Sequence, residues 1–583
     1  MKKKFMCLLL VFMMIASVLL TSCAQDDTIT VEETRSTQTL VIYMIAEKEV
    51  SEKAEADVEE ALNNLTQTKF KTKVDLRFFS EDEYYTALET TMKAKKKELN
   101  KAKKEALDKK KREKEIRDSC KEAGISYVPE TTRAPSTVIT AEETLVDQEY
   151  GIIRYKYPDP EENQVDIFYV GNYDKYQQYV DEDWLARLND EVNTTSKKLK
   201  EHIPAIYMEN IQDEGIYGIP NNTVVGEYTW MLLEKNLMDR YFCTADSITS
   251  LSSANLYTFL SDVYQFERDD DGNLTYLPIK GEISPTNMWY WSYDEENNKF
   301  TNEETLLGCY YSNTGTKGTH VVVKSIYTDV NYTNQLKMLK RFEFDGFYGE
   351  EEDQDKPFAM TVVKGGYDVY VDNCDDYYVK LLELPRANEE SLYSNMLCVN
   401  ALEDNVARSM EIITFINTVP EARNILQYGV ENENYYIDDS GILHRYNESY
   451  MMDVEKTGNI FMAHPEEGLP ANYWDNSIKH NSDADVIPTL GFKIEDSMNL
   501  DTKSIKNLNG LSEDYKARLD ACTTIQEVEA FIESVNTEIK ANEDYLFIIK
   551  SDYYPEEGTI NPTYPLFYYY WNWLDDNGYV IKT

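Results

Sequence analysis

"TLVIYMIAE", Thr39 to Glu47, is the stretch that decides the fold class. It is an apolar run rich in strand-forming residues, and it predicts a buried strand. The apolar residues that follow fall on one stripe of a helix predicted over Ser51–Thr66, and a second strand, "KVDLRFF", is predicted at Lys73–Phe79. "VDIFYV", at Val165–Val170, is the third. Strands that alternate with helices in this way indicate a parallel sheet and an α/β lobe.

A long basic segment separates the second strand from the third. Ser80 is the predicted N-cap of a helix, with Glu83 as its capping-box partner. Lys93–Ile116 then carries twelve Lys or Arg against five Asp or Glu, without Gly or Pro, which predicts one long and mostly solvated helix. A Pro/Thr-rich loop at Val128–Thr137 and a returning segment at Ala141–Tyr157 follow. Two interpretations stand: a solvated protrusion, or a docking arm for an acidic partner or the cell-wall surface.

The N-terminus has the pattern of an export signal. Three lysines precede an apolar run, Phe5–Leu20, that is somewhat short for a membrane-spanning helix. "LTSC", Leu20 to Cys23, stands where a cleavage site is expected and resembles the lipobox of bacterial lipoproteins. The resemblance implies a signal peptide over residues 1–22, and a diacylglycerol and fatty acids such as palmitate on Cys23. The alternative is a plain signal peptide with an incidental cysteine.

The remaining chain is too long for a single core and predicts two or more lobes. The net charge of the whole sequence, −46, argues strongly against nucleic acid or an anionic membrane surface as a partner. No later run is long and apolar enough to span a bilayer, so we expect a soluble body outside the cell, lipid-anchored to the cell membrane and facing the extracellular side. The 45 Tyr and 7 Trp residues suit contact with neutral polar molecules such as sugars.

Residue types that serve catalysis or metal binding do not fall at the required spacings. Five scattered histidines give no metal motif, and there is no nucleophile elbow, phosphate loop or dinucleotide fingerprint. In "FERDDDGNLTYL", Phe266 to Leu277, the calcium-loop pattern fails because Pro278 stands where glutamate is required. The sequence therefore predicts no cofactor, no metal and no catalysis. Export permits disulfides, but the sequence does not choose pairs among the six remaining cysteines. They are Cys120, Cys243, Cys309, Cys374, Cys398 and Cys522.

"DEGIYGIPNNTVVGEYTWMLLEKNLMDRY", Asp213 to Tyr241, resembles the interlobe crossover of the extracellular solute-binding lipoproteins of bacterial ABC importers, the carbohydrate-type family 1. Four other segments resemble that family in the same order. The poorest match is the middle, Leu274–Ala387, together with the basic segment and the aromatic tail. The four segments are "DIF" at Asp166–Phe168, "WLARLNDEV" from Trp184, "ARSMEIITFINTVPEARNILQYGVENENYYIDDSG" at Ala407–Gly441 and "IPTLGFKIEDS" at Ile487–Ser497.

The resemblance implies a two-lobe fold with a hinge and an interlobe cleft, like that of the periplasmic binding proteins. It implies a receptor that captures a sugar or oligosaccharide outside the cell and delivers it to the transmembrane subunits of an ABC permease. The rivals are a surface lipoprotein glycoside hydrolase and an adhesive or structural lipoprotein, and a peptide ligand stays open. The implied organisation is a tether at 23–39, a first lobe at 40–222 with an insertion at 93–163, a second lobe at 223–395, a return to the first lobe at 396–460, and the second lobe with an aromatic tail at 461–583.

Candidate ligand contacts follow from the position of the strands. Loops beyond the carboxyl ends of parallel strands hold ligands in open α/β sheets. This rule selects Glu47 after the first strand, Ser80 and Glu81 after the second, and Gly171 to Asp174 after the third, with Tyr173 and Asp174 as the preferred pair. For Glu47 a solvated loop charge is the alternative. Tyr173 and Asp174 combine a ring for stacking with an acceptor for hydroxyl groups.

Three indoles complete the candidate set. Trp230 lies just after the crossover, and Trp289 and Trp291 lie in "TNMWYWSY", Thr286 to Tyr293, where an extended chain would send both to one face. Indole rings stack on the C–H faces of sugars, but core packing is the alternative for all three. The tail "YPLFYYYWNWL", Tyr564 to Leu574, is predicted to be an aromatic helix packed on a lobe, or else a sugar platform.

Overall fold

The computed structural model describes 36–122, 145–147, 152–203, 207–208, 211, 215–294, 299–301, 304–313, 319–487, 489–492, 494, 498–556, 559 and 562–576. The predicted signal, Cys23 and the loop at 128–137 lie outside these residues. Within them, no helix combines the length and apolar character needed to cross a bilayer.

The strands are numbered in chain order. They are β1 (Gln38–Ile45), β2 (Thr72–Phe79), β3 (Leu145–Asp147), β4 (Ile152–Arg154), β5 (Ile167–Val170), β6 (Gly218–Pro220), β7 (Tyr228–Glu234), β8 (Leu277–Lys280), β9 (Ser292–Asp294), β10 (Lys299–Thr301), β11 (Leu307–Asn313), β12 (Thr319–Ser325), β13 (Phe358–Gly365), β14 (Tyr377–Glu383), β15 (Arg386–Ala387), β16 (Met396–Val399), β17 (Tyr435–Ile437), β18 (Leu443–Arg445) and β19 (Asp485–Val486).

The α-helices are numbered in the same way. They are α1 (Glu52–Phe70), α2 (Glu81–Glu122), α3 (Tyr173–Asp181), α4 (Asn189–Asn193), α5 (Leu199–His202), α6 (Lys235–Arg240), α7 (Ala254–Phe266), α8 (Val330–Phe344), α9 (Tyr367–Asn373), α10 (Glu389–Tyr393), α11 (Val406–Thr418), α12 (Pro420–Tyr428), α13 (Tyr473–Asp483), α14 (Thr502–Asp520), α15 (Ile525–Ala541), α16 (Glu543–Ile548) and α17 (Leu566–Asp576).

The first lobe is built on a five-stranded sheet in the order β2-β1-β5-β16-β6. The three strands predicted from the sequence are confirmed, and β1 pairs in parallel with β2 and with β5. β1 is buried at all but its first position, as expected for a central strand covered on both faces. The helix predicted after β1 is also confirmed, since Ser51 caps α1 by accepting from the backbone N–H of Ala54 at 3.2 Å.

One strand of this sheet comes from far along the chain. β16 lies between β5 and β6 and is antiparallel to both. The chain therefore leaves the first lobe after β6 and returns to it at β16. The residues between these two strands form the sheet of the second lobe.

That second sheet has four strands in the order β14-β7-β13-β8. β7 is antiparallel to β13 and β14, and β8 is parallel to β13. One face carries Met231, Leu233 and Met360, which pack against Leu260 of α7 and Phe342 of α8 in one apolar core. The fold class predicted from the sequence, an α/β protein of two lobes, is confirmed.

A third apolar core involves the C-terminal helices. Helices α14 to α17 pack with the hairpin β11–β12 and with α8 around a set of aromatic rings. The tail predicted to be an aromatic helix is α17, and Tyr570 at its centre is fully buried. The lobe boundaries inferred from the sequence stay predictions. Five cysteines among the described residues are free: Cys243, Cys309, Cys374, Cys398 and Cys522.

The helix α2 has 42 residues and contains the whole of the basic segment predicted to be helical. Its first half packs on the first lobe through Tyr84, Leu88, Met92 and Lys95, which recur on one face. From residue 101 to residue 119 every position is exposed except Glu113, which is half-buried. At its start, the Ser80 hydroxyl bonds to the Glu83 carboxylate at 3.1 Å, so the predicted partners meet side chain to side chain.

The lobes are joined where the crossing segments meet at a group of buried asparagines, which we call the asparagine junction. Asn481 of α13 accepts from the N–H of Val225 at 2.8 Å and donates to the carbonyl of Thr223 at 2.8 Å. Asn222 donates to the side chain of Asn459 at 3.0 Å. An amide both donates and accepts, so one side chain can satisfy two backbone groups of a buried, non-repetitive chain. The members are Asn221, Asn222, Asn395, Asn459 and Asn481.

We expect Asn481→Ala to destabilise the protein, because it leaves the buried N–H of Val225 without its side-chain acceptor and removes one of the two donors to the carbonyl of Thr223, the other being the Tyr207 hydroxyl at 2.9 Å. The free energy of unfolding should fall by about 1–3 kcal/mol, and the thermal midpoint should fall with it. Differential scanning calorimetry measures this. Asn64→Ala, at an exposed position of α1, is the matched control and should stay within about 0.5 kcal/mol of the wild type. Equal midpoints for the two variants would show that the junction does not stabilise the fold.

Candidate functional site

The carboxyl ends of β1, β2, β5 and β6 meet at one edge of the first sheet, where ligands bind in open α/β folds. The segment after the hairpin β17–β18 runs across this edge: Ala46 bridges to Met452, and the N–H of Glu47 donates to the carbonyl of Met451 at 3.0 Å. This segment brings further charged side chains, Asp453, Glu455 and Lys456, to the ends of the strands.

Polar side chains form a connected cluster at this edge. The Tyr169 hydroxyl donates to the Asn395 side chain at 2.6 Å, and the Asn395 amide donates to the Glu455 carboxylate at 3.4 Å. Lys456 pairs with Glu81 at 3.4 Å. Burial raises the pKa of Glu455, and the neighbouring charge of Asp453 adds to that rise. The cluster therefore presents hydroxyl, amide and carboxylate groups together.

The corresponding edge of the second lobe carries tyrosines. β13 ends at Gly365 and α9 begins two residues later, so α9 projects from the end of the sheet. Tyr367 and Tyr370 on α9 stack with ring centroids 5.4 Å apart and planes 17° apart, and Tyr473 lies 6.1 Å from Tyr367. Tyr370 is 39% exposed. Tyr367 and Tyr370 are therefore nearly parallel, Tyr473 is tilted by 56° against Tyr367, and part of this aromatic surface is open to solvent.

Between α9 and the hairpin β17–β18 lies a groove of about 660 Å³. The hairpin belongs to the side of the first lobe, since the N–H of Ser51 donates to the carbonyl of Ser449 at 3.2 Å. The groove is thus an interlobe site, with α9 as one wall and the hairpin and residues 467–472 as the other. Its lining includes Tyr367, Tyr370, Val371, Cys374, Asp438, Ile442, His444, Glu467, Leu469, Pro470 and Asn472.

The wall opposite the tyrosines is polar. The two ring nitrogens of His444 lie 3.1 Å from the carboxylate of Asp438 and 3.2 Å from that of Glu467. These hydrogen bonds raise the pKa of His444, with Asp438 as the larger cause, and the bonds to Ser440 and His444 hold the pKa of Asp438 far below its usual range. The His444 ring also stacks on Tyr436 at 4.9 Å and 15°. The wall therefore combines carboxylate acceptors with the ring of His444, which Tyr436 supports from behind the lining.

Tyr473 follows Asn472 of the groove lining and lies next to Tyr367. Its pKa is raised to about 12, first by burial and then by the negative charges of Asp368 and Asp372 on α9 and of Glu455. Negative charges from both sides of the groove therefore oppose ionisation of this phenol. In chemical terms the site offers ring faces, carboxylates and amides, and among the described residues no group of three or more His, Cys, Asp or Glu side chains is placed to hold a metal ion.

The predicted contacts of the first lobe lie at the edge described above. Glu47 is exposed immediately beyond β1, and Asp174 is exposed in the first turn of α3. Tyr173 is half-buried and lies 5.1 Å from Tyr393 of α10, ring centre to ring centre. The structure brings these three residues to one end of the sheet, and their contact with a ligand stays a prediction.

The structure separates Trp230 from the other two indoles, since Trp291 lies in the third core and Trp289 packs against it. Trp230 is buried in β7 and donates from its Nε1 to the carbonyls of Gly365 and Gly366 at 3.3 and 3.2 Å, directly beneath the start of α9. Trp289 is half-buried below the guanidinium of Arg386, 4.6 Å from its ring. Trp291 is only 2% exposed and lies in the third core, in edge contact with Phe567. For Trp291 the structure favours the packing alternative.

The sequence did not single out Tyr367, Tyr370, Tyr473 or His444. The spacing of Tyr367 and Tyr370 was a usable signal, because residues three apart lie side by side on a helix and "GGYDVYVDN" follows a buried strand. The opposite wall gave no such signal, since its residues come from a hairpin and a loop whose placement depends on the tertiary fold.

The fold can be matched to solved structures. The N-glycan transport solute binding protein (NgtS) from Streptococcus pneumoniae is similar with a TM-score of 0.51 and 15% sequence identity, over 88% of this chain and 96% of that chain. The chain has the fold of a solute-binding protein. The same pneumococcal protein in complex with Man5GlcNAc gives a TM-score of 0.41 at 15% identity, over 94% of this chain and 100% of that chain.

A further similar structure is an HMO-binding, ABC-transporter-associated solute-binding protein from Bifidobacterium longum infantis. Its TM-score is 0.45 at 10% identity, over 86% of this chain and 96% of that chain. These neighbours are binding proteins. No family model matches the chain, and no curated protein sequence matches it.

His480 of α13 is buried beside the start of β7, and its ring centroid lies 4.2 Å from that of Tyr228. Burial lowers its pKa from 6.5 to about 4. An unfolded chain therefore binds a proton here between about pH 6.5 and pH 4 that the folded chain does not, so the stabilising contribution of neutral His480 is lost as pH falls through this window.

We expect His480→Phe, which keeps a ring against Tyr228 but cannot be protonated, to reduce the acid sensitivity of the fold. Between pH 7 and pH 5 the wild type should lose on the order of 1–2 kcal/mol more of its free energy of unfolding than the variant. Thermal or urea unfolding at a series of pH values measures the difference. Parallel stability curves for the two proteins would contradict the buried neutral state of His480.

Proposed function

We propose that the protein is an extracellular receptor that binds an oligosaccharide in the interlobe groove and delivers it to the transmembrane subunits of an ABC permease. The observation that carries the proposal is the groove itself, with stacked tyrosines of α9 on one lobe and carboxylates of the hairpin side on the other. Closure of the lobes on a ligand that touches both walls is a population shift towards a state that the ligand stabilises.

The chemistry of the walls supports a saccharide. Sugar rings present C–H faces that pack on flat aromatic surfaces such as Tyr367 and Tyr370, and their hydroxyl groups donate to carboxylates such as Asp438 and Glu467. The net charge of −46 and the acidic wall disfavour phosphorylated or uronic solutes. A neutral oligosaccharide fits these constraints, and the fold similarity to a protein named for N-glycan transport supports the same class.

Tyr370→Ala should weaken binding of the oligosaccharide without unfolding the protein, because the exposed ring stacks on a sugar face and contributes little to the core. We expect a loss of roughly two- to tenfold in affinity, the equivalent of one aromatic contact. Isothermal titration calorimetry measures this, with a ligand first found by screening neutral glycans and peptides for a rise in thermal midpoint.

Two controls sharpen this experiment. Tyr370→Phe keeps the ring and should bind nearly as tightly as the wild type, whereas Tyr554→Ala removes a tyrosine that is 86% exposed and not part of the groove lining, and should have no effect. Undiminished affinity of Tyr370→Ala would remove α9 from the site. Release of reducing sugar from the screened glycans would point to a hydrolase instead of a receptor, and selective stabilisation by peptides would replace the sugar.

We further propose that the receptor is held at the membrane by lipid on Cys23. Support comes from the sequence, in which a basic start and an apolar run end at this cysteine. Two acyl chains are enough for stable anchoring, whereas one gives marginal binding.

Cys23→Ser should therefore shift the protein from the membrane fraction to the soluble fraction. Fractionation of cells that express each form, followed by immunoblotting, measures the shift, and metabolic labelling with a radioactive fatty acid should mark only the wild type. A serine variant that stays in the membrane fraction at the wild-type level would show that something other than this lipid anchors the chain.

A further inference from the structure

The exposed half of α2, residues 101–122, differs in charge from the rest of the chain, and we call it the basic arm. It carries ten Lys or Arg against six Asp or Glu in a protein whose net charge is −46. None of its apolar side chains is buried among residues 101–119, so hydrophobic packing does not account for its length. At 1.5 Å per residue the basic arm is roughly 33 Å long.

Part of the charge is concentrated on one face. Lys103, Lys110, Lys114, Arg117 and Lys121 recur at intervals of seven, four, three and four residues, which places them in one stripe along a helix. Glu113 and Asp118 lie three or four residues from members of this stripe and offset part of its charge, whereas Glu105, Asp108, Glu115 and Glu122 lie on other faces. Like charges at such spacings repel each other within an isolated helix, so this face gains from a polyanionic partner.

The arm leaves the first lobe on the side where the chain enters it. Lys95, the last buried residue of α2, pairs with Glu403 at 3.0 Å. Two residues further on, the side chain of Asn405 accepts from Gln38, the first residue of β1, at 2.6 Å. The arm thus projects beyond the amino ends of the strands, away from the edge that carries the candidate ligand contacts.

This position relates the arm to the proposed anchor. The chain between Cys23 and Ser36 can span at most about 45 Å. If Cys23 is anchored, the start of β1 and the arm beside it therefore stay close to the bilayer. Their distance from it is comparable to the length of the arm. A tether of this kind raises the effective concentration of the membrane surface around the arm.

The strongly negative net charge does not prevent this contact. Electrostatic interactions decay over about 8 Å at physiological ionic strength, and the tip of the arm lies roughly 33 Å from the lobe surface. The interaction of the tip with a membrane therefore depends on the charge of the arm and not on that of the body. The acidic body is repelled by an anionic surface only when it comes close to that surface. The expectation against an anionic membrane partner, drawn from the total charge, applies to the body and not to the arm.

We propose that the basic arm binds anionic lipid headgroups through the stripe from Lys103 to Lys121, and that this second contact holds the unliganded receptor with its groove turned towards the outside; the arm must detach before the groove can reach the transmembrane subunits. The inference rests on the proposed membrane anchor. An acyl anchor combined with a cluster of basic residues is a general way to strengthen and orient attachment, because each basic residue near an anionic surface contributes roughly fivefold in partition.

The test uses the full chain with Cys23→Ser, so that acyl lipid makes no contribution, and vesicles of neutral phosphatidylcholine with or without phosphatidylglycerol. Co-sedimentation gives the partition coefficient, and the neutral vesicles measure any contribution of the apolar N-terminus. The stripe variant carries Lys103→Gln, Lys110→Gln, Lys114→Gln and Lys121→Gln. The matched control removes four charges from the other faces of the same arm, with Lys101→Gln, Lys104→Gln, Lys109→Gln and Arg112→Gln.

We expect binding to anionic vesicles only, a fall with added salt, a loss of at least about tenfold for the stripe variant and a clearly smaller loss for the control. Equal losses for the two variants, or no preference for anionic vesicles, would overturn the proposal. So would concentration-dependent self-association of the wild type that the stripe variant lacks, which would make a second copy the partner. Oligosaccharide affinity should be the same in both variants, so the outcome is separable from that of the groove and of Cys23.

Discussion

The buried asparagine junction is the constraint on which the two-lobe arrangement depends. The segments that pass between the sheets have no regular structure of their own, so their backbone groups need partners other than neighbouring strands. Asn481 supplies two such partners, to Val225 and Thr223. The side chains of Asn222 and Asn459 bond to each other, and Asn395 joins the group through the Thr223 hydroxyl at 3.4 Å. Because these bonds are specific in direction, they fix where the chain changes lobes and hence how the two sheet edges face each other across the groove.

The chemistry of the groove comes from two short elements, helix α9 on one side and the hairpin β17–β18 on the other. α9 has seven residues and depends on the sheet beneath it: Trp230 bonds to the two glycine carbonyls that precede the helix. The rings of Tyr367 and Tyr370 are held against each other while one of them stays open to solvent. On the other wall, His444 holds two carboxylates in place through both ring nitrogens. A sugar ring has apolar C–H faces and polar hydroxyl groups. The tyrosine rings match the first and the fixed carboxylates match the second.

The local pattern of the sequence was sufficient to predict the helices and strands whose own residues show a clear periodicity. β1, β2, β5, α1 and the long helix α2 follow from runs and spacings within a few residues, and α17 from an unbroken aromatic stretch. The groove was not predictable in the same way, because residues near 370 and near 440 to 470 are adjacent only after the lobes have formed. Trp291 shows the limit clearly: alternation along an extended chain tells which side chains share a face, but not that α17 covers that face.

The place of β16 in the first sheet has a consequence for biosynthesis. The chain is made from its N-terminus, yet β5 and β6 lack the strand between them until Met396–Val399 has been synthesised. All four strands of the second sheet lie between Tyr228 and Glu383 and are available earlier. The second lobe can therefore complete its sheet while the first still exposes unpaired strand edges, which favour aggregation and attract chaperones. For a nascent chain, the sheet that begins first is the one that is completed last.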